Sequence, residues 1–163
     1  MSVKIRPYTA SDFDFCMSIF DSNCPLYFDE LERELFAKWL IHQSEAAGYE
    51  SPTYADAAYD AYFVAVNEEG KVQACAGFYI VKEKPEARLA WGMVHANCHK
   101  QGLGKALYAY RKTRIKLDWP AHQITLGTSQ HTYEFYEKMG MTVQQIIPHG
   151  YGATLDRIDM IEY

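Results

Sequence analysis

Hydrophobic and polar positions in the first forty residues predict one strand followed by two helices. The segment "VKIRPY" has strand composition. Thr9 or Ser11 is placed to cap a helix in "SDFDFCMSIFDSN". A second helix is predicted to begin where Asp29 and Glu32 form a capping-box-like pair. Four apolar residues at helical spacing are expected on its buried face: Leu31, Leu35, Trp39 and Leu40.

The middle of the chain has the composition of paired strands. The runs "AYFVAV" and "VQACAGFYIV" flank the polar segment "NEEG", which predicts a hairpin, and "RLAWGMV" predicts a third strand. The segment before them, "AAGYESPTYADAAYDAY", contains Gly, Pro and several Tyr with weak periodicity. We therefore expect an irregular, exposed connection there.

The rest of the chain predicts a longer helix and then alternating elements. The helix "KALYAYRKTRIKL" ends before Pro120, "QITLGT" is a strand, and "TYEFYEKM" is a short helix that Gly140 stops. The segments "MTVQQII" and "RIDMIEY" are terminal strands. This pattern, without a repeat or a linker, predicts one mixed α/β domain over residues 1–163. Five residues of the long helix are expected to share its apolar face: Leu103, Ala106, Leu107, Tyr110 and Leu117.

Composition and charge narrow the class of protein. The chain has 163 residues, of which 48% are hydrophobic and 23% are charged, as is usual for a folded protein with a sizeable core. Its net charge of −5 argues against nucleic acid as the main partner. No apolar run resembles a signal peptide or a membrane span, and the four cysteines show no paired spacing. We expect a cytoplasmic protein with reduced thiols and no membrane partner.

Two glycines in "HKQGLGKAL" lie at the start of the long helix, between lysines. A phosphate-binding P-loop is excluded because Ala106 follows Lys105, and a dinucleotide fingerprint is excluded because Leu107 replaces its third small residue. The remaining pattern is a strand, a glycine loop and a helix start, whose free N–H groups can hold an anion. A simple turn into the helix is the alternative.

The glycine loop and its neighbours resemble a known family. The stretch "MVHANCHKQGLGKALYAY" resembles motif A of the GNAT superfamily of acetyltransferases, in which Arg/Gln-x-x-Gly-x-Gly/Ala follows a strand that ends in valine. Val94 lies eight residues before Gly102, which is the family spacing. The stretch "TSQHTYEFYEKMGM" resembles the later family motif. Three positions depart from the family pattern: His99 replaces Arg or Gln, Ser129 replaces Asn, and Met141 replaces Phe.

The resemblance implies both a fold and a cofactor. The implied fold is α/β (α+β), a mixed, mostly antiparallel twisted sheet with helices on both faces and a cleft where two central strands splay apart. The implied cosubstrate is acetyl-CoA, which transfers its acetyl group directly to an amine, with no metal. Met93 and Val94 are implied to contact the pantetheine arm, and Ser129 lies near the cofactor arm. The residues implied to surround the diphosphate are Lys100, Gln101, Gly102, Leu103, Gly104 and Lys105.

Tyr136 is the candidate catalytic residue. It matches the family tyrosine that faces the sulfur, where a phenol can protonate a departing thiolate. A core aromatic on a short amphipathic helix is the alternative interpretation. No base is assigned, because Arg88 stands where some members carry a glutamate, and His95, whose usual pKa would suit a base, is better explained as an ordinary loop histidine.

Other candidate groups are weaker. His95, Cys98 and His99 fit no common zinc spacing and lack a fourth ligand nearby, so no metal site is predicted. Acidic and tyrosine residues in the irregular connection could recognise a cationic amine or form a solvated surface. His149 and Tyr151 could reach an acceptor or form a turn between strands. The connection residues in question are Glu50, Asp56, Asp60, Tyr49, Tyr54, Tyr59 and Tyr62.

The expected function is an N-acetyltransferase that transfers an acetyl group from acetyl-CoA to a primary amine of a small molecule in a ternary complex. One alternative is an acetyltransferase for protein N-termini or lysines. Another, of a different class, is a non-catalytic acyl-CoA-binding module. The partners are therefore acetyl-CoA and an amine acceptor, and a homodimer stays open.

Overall fold

The structure, a computed structural model, describes residues 3–45 and 54–162. The strands are β1 (Lys4–Pro7), β2 (Ala57–Val66), β3 (Val72–Val81), β4 (Glu86–Val94), β5 (Gln123–Thr128), β6 (Met141–Gly152) and β7 (Leu155–Glu162). The helices are α1 (Phe13–Ser22), α2 (Arg33–Ser44), α3 (Leu103–Asp118) and α4 (Tyr133–Lys138). Short 3-10 helices span Ala10–Asp12, Glu30–Glu32 and Ala96–Cys98.

The seven strands form one sheet in the order β1-β2-β3-β4-β5-β7-β6. Every neighbouring pair is antiparallel except β4 and β5, which are parallel. The β4–β5 register runs from Glu86 opposite Gln123 to Leu89 opposite Leu126. Because β4 continues to Val94 beyond this register, the two strands part in the middle of the sheet.

A bulge in β4 lies where the strands part. Cys75 of β3 pairs with Met93, but Gly77 pairs with Ala90, so β4 has one extra residue between these pairs. Within this stretch Trp91 adopts a left-handed φ of 52°. The bulge therefore changes the direction of β4 just where it loses β5 as a neighbour.

Helices cover both faces of the sheet. On one face, α3 packs Leu107 and Ile115 against Phe63 and Phe78 of the central strands. On the other face, α1 and α2 bury an aromatic cluster that includes Trp39, with no exposed surface. The mixed, mostly antiparallel sheet with helices on both faces confirms the expected fold class. No helix among residues 3–45 and 54–162 is long and apolar enough to cross a membrane.

The buried face of α3 differs from the expected one. Leu103, Leu107 and Ile115 are buried, but Leu117 is 76% exposed. Positions four apart share a helix face, whereas Leu117, two residues after Ile115, points to the opposite side. These buried residues form one stripe along α3, and its remaining member, between Leu107 and Ile115, is Arg111, a buried cation.

Two expectations for the first half of the chain also need correction. The expected buried face of α2 is wrong in part, because Leu31 is 84% exposed and Leu35 is also exposed, while Phe36 is buried. The irregular connection ends earlier than expected, since β2 begins at Ala57, which pairs with Val81 of β3. Residues 46–53 of that connection lie outside the described residues.

Two leucines of α3 provide a test of its buried face. We expect Leu107→Ala to lower the free energy of unfolding by about 2–5 kcal/mol, because it leaves a cavity in the core. Leu117→Ala should change it by no more than about 0.5 kcal/mol, since the side chain is in solvent. Urea denaturation of both variants measures the difference. Equal losses would show that the stripe is assigned to the wrong face.

Candidate active site

A cavity of about 900 Å³ opens where β4 and β5 part. Its wall is formed by β4 and β5, by the starts of α3 and α4, by segment 27–35 and by the β6–β7 hairpin. The volume and the mixture of apolar walls with a few charged groups are typical of a ligand site. The cavity has two halves, one at the glycine loop and the other beneath the hairpin. We call the first the loop half and the second the hairpin half.

Backbone N–H groups face the loop half at the start of α3. Gly102 has a φ of 80°, a conformation that favours glycine. The first bond of the helix joins the Ala106 N–H to the Gly102 carbonyl at 3.0 Å. The N–H groups of residues 103–105 therefore have no partner within the helix, and these residues line the cavity. Such a helix start favours an anion.

Gly104 has a packing role that its motif does not reveal. A β-carbon added there would lie 3.2 Å from the ring of Phe135 in α4. By contrast, a β-carbon on Gly102 would meet nothing within 4 Å. The first glycine is thus required by backbone conformation, and the second by the close approach of α4 to the helix start.

His99 joins the glycine loop to the end of β4. Its Nε2 lies 2.9 Å from the Val94 carbonyl oxygen and 3.1 Å from Asn23 Oδ1. A carbonyl oxygen only accepts, so Nε2 carries the proton. The Asn23 amide also donates to Val94, at 2.9 Å. The N–H of the next residue, His95, donates to the Gln73 carbonyl on β3. Because successive N–H groups of a strand point to opposite sides, the Val94 N–H points away from β3, toward the cleft.

Tyr136 lies over β4 beside a buried arginine. A β-carbon on Gly92 would lie 3.6 Å from the Tyr136 hydroxyl oxygen and 3.5 Å from Arg111 Nη2. The Arg111 side chain donates to the carbonyl of Gly77 at 3.1 Å and to that of Leu107 at 3.2 Å. Burial lowers the pKa of the Arg111 guanidinium, and the adjacent Tyr136 hydroxyl opposes that shift. An arginine nevertheless stays charged, so a fixed cation lies next to the phenol.

Glu32 is the one acidic side chain that lines the cavity among the described residues. Burial raises the pKa of Glu32 to about 7, the hydrogen bond from the Asp29 N–H opposes that shift, and the Asp29 carboxylate adds to it. The Asp29 N–H lies 3.3 Å from Glu32 Oε2, which is the predicted capping box. One side chain therefore both caps a helix start and faces the hairpin half.

Two arginines meet one carboxylate in the hairpin half. Arg88 Nη2 lies 3.1 Å and Arg157 Nε 2.9 Å from the same atom, Asp159 Oδ1. Both arginines line the cavity, and Asp159 does not. Tyr151 also lines this half, and burial raises its pKa to about 12, so that it is a hydrogen-bond donor at neutral pH.

All but one of the residues predicted to bind the cofactor line this cavity. Gln101 is exposed and does not line the cavity. Ser129 is buried, and its Oγ accepts a hydrogen bond from the His131 N–H at 3.3 Å. The predicted residues that line the cavity together with Ser129 are Met93, Val94, Lys100, Gly102, Leu103, Gly104, Lys105 and Tyr136.

The tyrosine-rich connection does not form one amine-binding cluster. Asp60 is bound by His42 at 3.0 Å and by the Gln43 amide at 2.9 Å. Tyr62 is buried and donates to the Trp91 carbonyl at 2.7 Å. Within this segment, the described residue that lines the cleft is Tyr54. Glu50 and Tyr49 lie outside the described residues.

The histidines near the glycine loop have hydrogen-bonding roles. His95 Nδ1 accepts from the Asn97 N–H at 3.1 Å, and His99 is engaged as described above. In the part of the chain that the structure describes, no three His, Cys, Asp or Glu side chains are grouped to hold a metal ion.

Four charged side chains of the cleft do not follow from the sequence motifs: Glu32, Arg88, Arg111 and Arg157. A charged residue at the centre of an otherwise apolar i, i+4 stripe is the pattern that could have indicated Arg111. No comparable pattern exists for the others, because distant elements bring them together.

The fold and its cleft define the class of protein, an α/β domain with a ligand cleft where its parallel strand pair parts beside a glycine loop. The chain belongs to the acetyltransferase (GNAT) family, whose model matches residues 18–141. A search of curated proteins finds no match.

Solved structures share the fold at low sequence identity. A GNAT-family protein from Desulfovibrio desulfuricans has a TM-score of 0.75 and 18% identity, with 98% of each chain covered. The ribosomal-protein-S18-alanine N-acetyltransferase from Escherichia coli has a TM-score of 0.68 and 19% identity, over 99% of this chain and 93% of that one. An aminoglycoside 6'-N-acetyltransferase complexed with coenzyme A has a TM-score of 0.70 and 16% identity, over 98% and 96%.

The raised pKa of Glu32 makes its effect on stability depend on pH. Burial favours the protonated form of the Glu32 carboxyl over the charged form. The stability that this contributes is fully present below the unfolded pKa of about 4.3 and is lost as the pH rises through about 7. We therefore expect the free energy of unfolding of Glu32→Gln, relative to wild type, to increase between pH 5 and pH 8 by on the order of 1–2 kcal/mol. Urea denaturation at both pH values measures this, with exposed Glu34→Gln as control. A flat difference would contradict the buried environment of Glu32.

Proposed function

We propose that this protein is an acetyl-CoA-dependent N-acetyltransferase that acetylates a primary amine of a small molecule. The observation that carries this proposal is one cavity that joins the glycine loop and Tyr136 to a separate half containing Glu32. Membership of the family supports acyl transfer, and the coenzyme A complex of a structural neighbour supports an acyl-CoA donor.

The shape of the hairpin half supports a small acceptor. A β-carbon on Gly152 of β6 would collide with the Asp29 carboxylate, so the segment before α2 packs directly on the β6–β7 hairpin. Exposed Leu31 and Leu35 line the cavity from the same side. This contact limits the room for a folded protein surface at the acceptor.

The residues present fit the parts of an acyl-CoA. The free N–H groups of residues 103–105 suit the diphosphate, with Lys100 and Lys105 nearby. The Val94 N–H suits the pantetheine arm along the free edge of β4. The thioester then lies near Gly92, below the Tyr136 hydroxyl.

The reaction balances with these groups. The amine nitrogen attacks the thioester carbonyl carbon, the C–N bond forms, and the C–S bond breaks. Tyr136 gives its hydroxyl proton to the departing sulfur, while the proton lost by the amine passes to Glu32, directly or through water. The Arg111 cation stabilises the negative charge left on the phenol oxygen. A base with a pKa near 7 is suited to accept that proton at neutral pH.

A screen for acetyl-CoA-dependent thiol release across small amines, peptides and lysine-containing proteins tests the proposal. We expect release with small amines. Release with peptides alone would identify a protein N-terminal or lysine acetyltransferase instead. Binding of acetyl-CoA without release for any amine would identify a non-catalytic acyl-CoA-binding module.

Cofactor binding should depend on Gly104. We expect acetyl-CoA at 100 times its dissociation constant to add about 2.7 kcal/mol of stability, which raises the melting temperature by about 5–10 °C. Gly104→Val should reduce this shift, because a branched side chain would collide with Phe135 and displace the helix start. Lys105→Ala should reduce it less, since its charge supplements the backbone. An unchanged shift in Gly104→Val would mean that Gly104 serves only the packing of α4 and not the cofactor.

Turnover should depend on the Tyr136 hydroxyl. We expect Tyr136→Phe to lower turnover by roughly 10²–10⁴-fold, the usual contribution of a placed acid, with the affinity for acetyl-CoA little changed. Tyr133→Phe is the matched control, because Tyr133 lies on the same helix and does not line the cavity. Thiol release and the melting temperature are measured for both variants. Near-normal turnover in a folded Tyr136→Phe protein would remove the catalytic assignment.

A further inference from the structure

We infer that the amine acceptor also carries an acidic group, such as a carboxylate or a phosphonate, and that Arg88 and Arg157 bind this group in the hairpin half of the cavity. The inference rests on the proposed function and specifies the class of acceptor. It does not depend on how the cofactor is held.

The charges of the cavity walls favour an acidic ligand. In the hairpin half, the charged lining residues that the structure describes are Arg88, Arg157 and Glu32. Lys100 and Lys105 lie at the other end, next to the glycine loop. An acceptor with several positive charges would meet two guanidinium groups and one carboxylate. An acceptor with one amine and one acid matches this set of charges.

Asp159 holds Arg88 and Arg157 in a way that leaves some of their N–H donors available to a ligand. Both contact Asp159 Oδ1, and each guanidinium has five N–H donors. Arg88 Nη1 also lies 4.0 Å from Glu86 Oε2 and 3.5 Å from Thr125 Oγ1. Neither carboxylate lines the cavity, whereas both arginines do. The carboxylates therefore orient the guanidinium groups and leave the cavity side of the pair to a ligand.

Gly127 makes room for this arrangement. A β-carbon there would lie 3.0 Å from Arg88 Nη2 and 3.4 Å from Asp159 Oδ1, and it would collide with the Tyr151 hydroxyl. The phenol and the guanidinium thus converge over one glycine of β5. Tyr151 supplies a further neutral donor beside the arginine pair, and charge-assisted and neutral donors together suit an oxyanion.

The positions of the arginines and of Tyr136 along the sheet favour a small acceptor. Gly127 follows Leu126, the last residue of β5 in register with β4, so the Arg88 guanidinium lies where the strands begin to part. Gly92, below Tyr136, lies about two residues farther along β4, beyond the bulge at Trp91. Two extended strand residues span at most roughly 7 Å, and a bulge bends the strand. The arginine pair and the Tyr136 hydroxyl therefore belong to neighbouring parts of one cavity, which suits a small molecule that carries both an amine and an acid.

Matched pairs of acceptors test the inference. Thiol release is measured with 4-aminobutyrate and 4-aminobutyramide, with L-alanine and L-alaninamide, with 3-aminopropylphosphonate, and with spermidine, which has no acid. We expect kcat/KM of an acidic acceptor to exceed that of its amide by about tenfold or more, because the amide lacks the charge-assisted bonds.

Variants of Arg88 and Arg157 test whether these side chains cause the preference for acidic acceptors. We expect Arg88→Gln or Arg157→Gln to lower kcat/KM for acidic acceptors by about 10- to 100-fold and to leave the amides little changed. In each variant Asp159 keeps the other arginine as partner, so the fold is retained, and the amides serve as an internal check. Arg33→Gln is the matched control, because Arg33 forms an exposed ion pair with Asp21 and does not line the cavity.

The outcomes separate this inference from the proposed function. Thiol release in which spermidine or the amides are the best acceptors overturns the inference and leaves the function intact. If no amine releases thiol, titration of the coenzyme A-saturated protein with glutarate by calorimetry decides. Saturable binding that is lost in Arg88→Gln and kept in Arg33→Gln supports the anion site, and the absence of binding overturns it.

Discussion

The loss of pairing between β4 and β5 after Leu89 and Leu126 is the constraint on which the site depends. A parallel pair in the middle of a sheet normally buries its backbone groups against each other. Here β4 runs on to Val94 without β5 beside it, and a bulge at Trp91 accompanies the change. The free edge of β4 and the gap beside it are the cavity, so the ligand site is a consequence of where a register stops.

Arg111 shows how the core and the site are coupled. A buried cation costs stability unless its donors are satisfied. Two carbonyls, of Gly77 and Leu107, accept from it, and the Tyr136 hydroxyl lies beside it. An apolar residue would fit the stripe of α3 more simply. A cation at this position fits the proposed reaction, in which the phenol oxygen above it becomes negatively charged in a low-dielectric site.

Local features of the sequence predicted much of the fold and part of the site. The capping box of Asp29 and Glu32, the hairpin and the glycine loop depend on residues a few positions apart, and the structure has them where expected. The exposure of Leu31 and the cavity-facing position of Glu32 depend instead on how α2 meets the hairpin. Arg88 and Arg157 come together through the β4–β5–β7 order, which strand patterns alone do not specify. The residues of the cleft that the sequence does not indicate are therefore those that distant elements bring together.

The charged side chains of the cavity are mostly cationic, although the chain as a whole is acidic. The protein carries a formal charge of −5, which argues against a polyanionic partner. Within the cavity, however, cationic side chains lie at both ends, with Glu32 as the single acid among the described lining residues. Low-dielectric walls focus such local fields, so a cleft can attract small anions even when the surrounding surface is acidic. Cationic side chains at both ends of the cleft suit the acyl-CoA and the acidic amine that are proposed above.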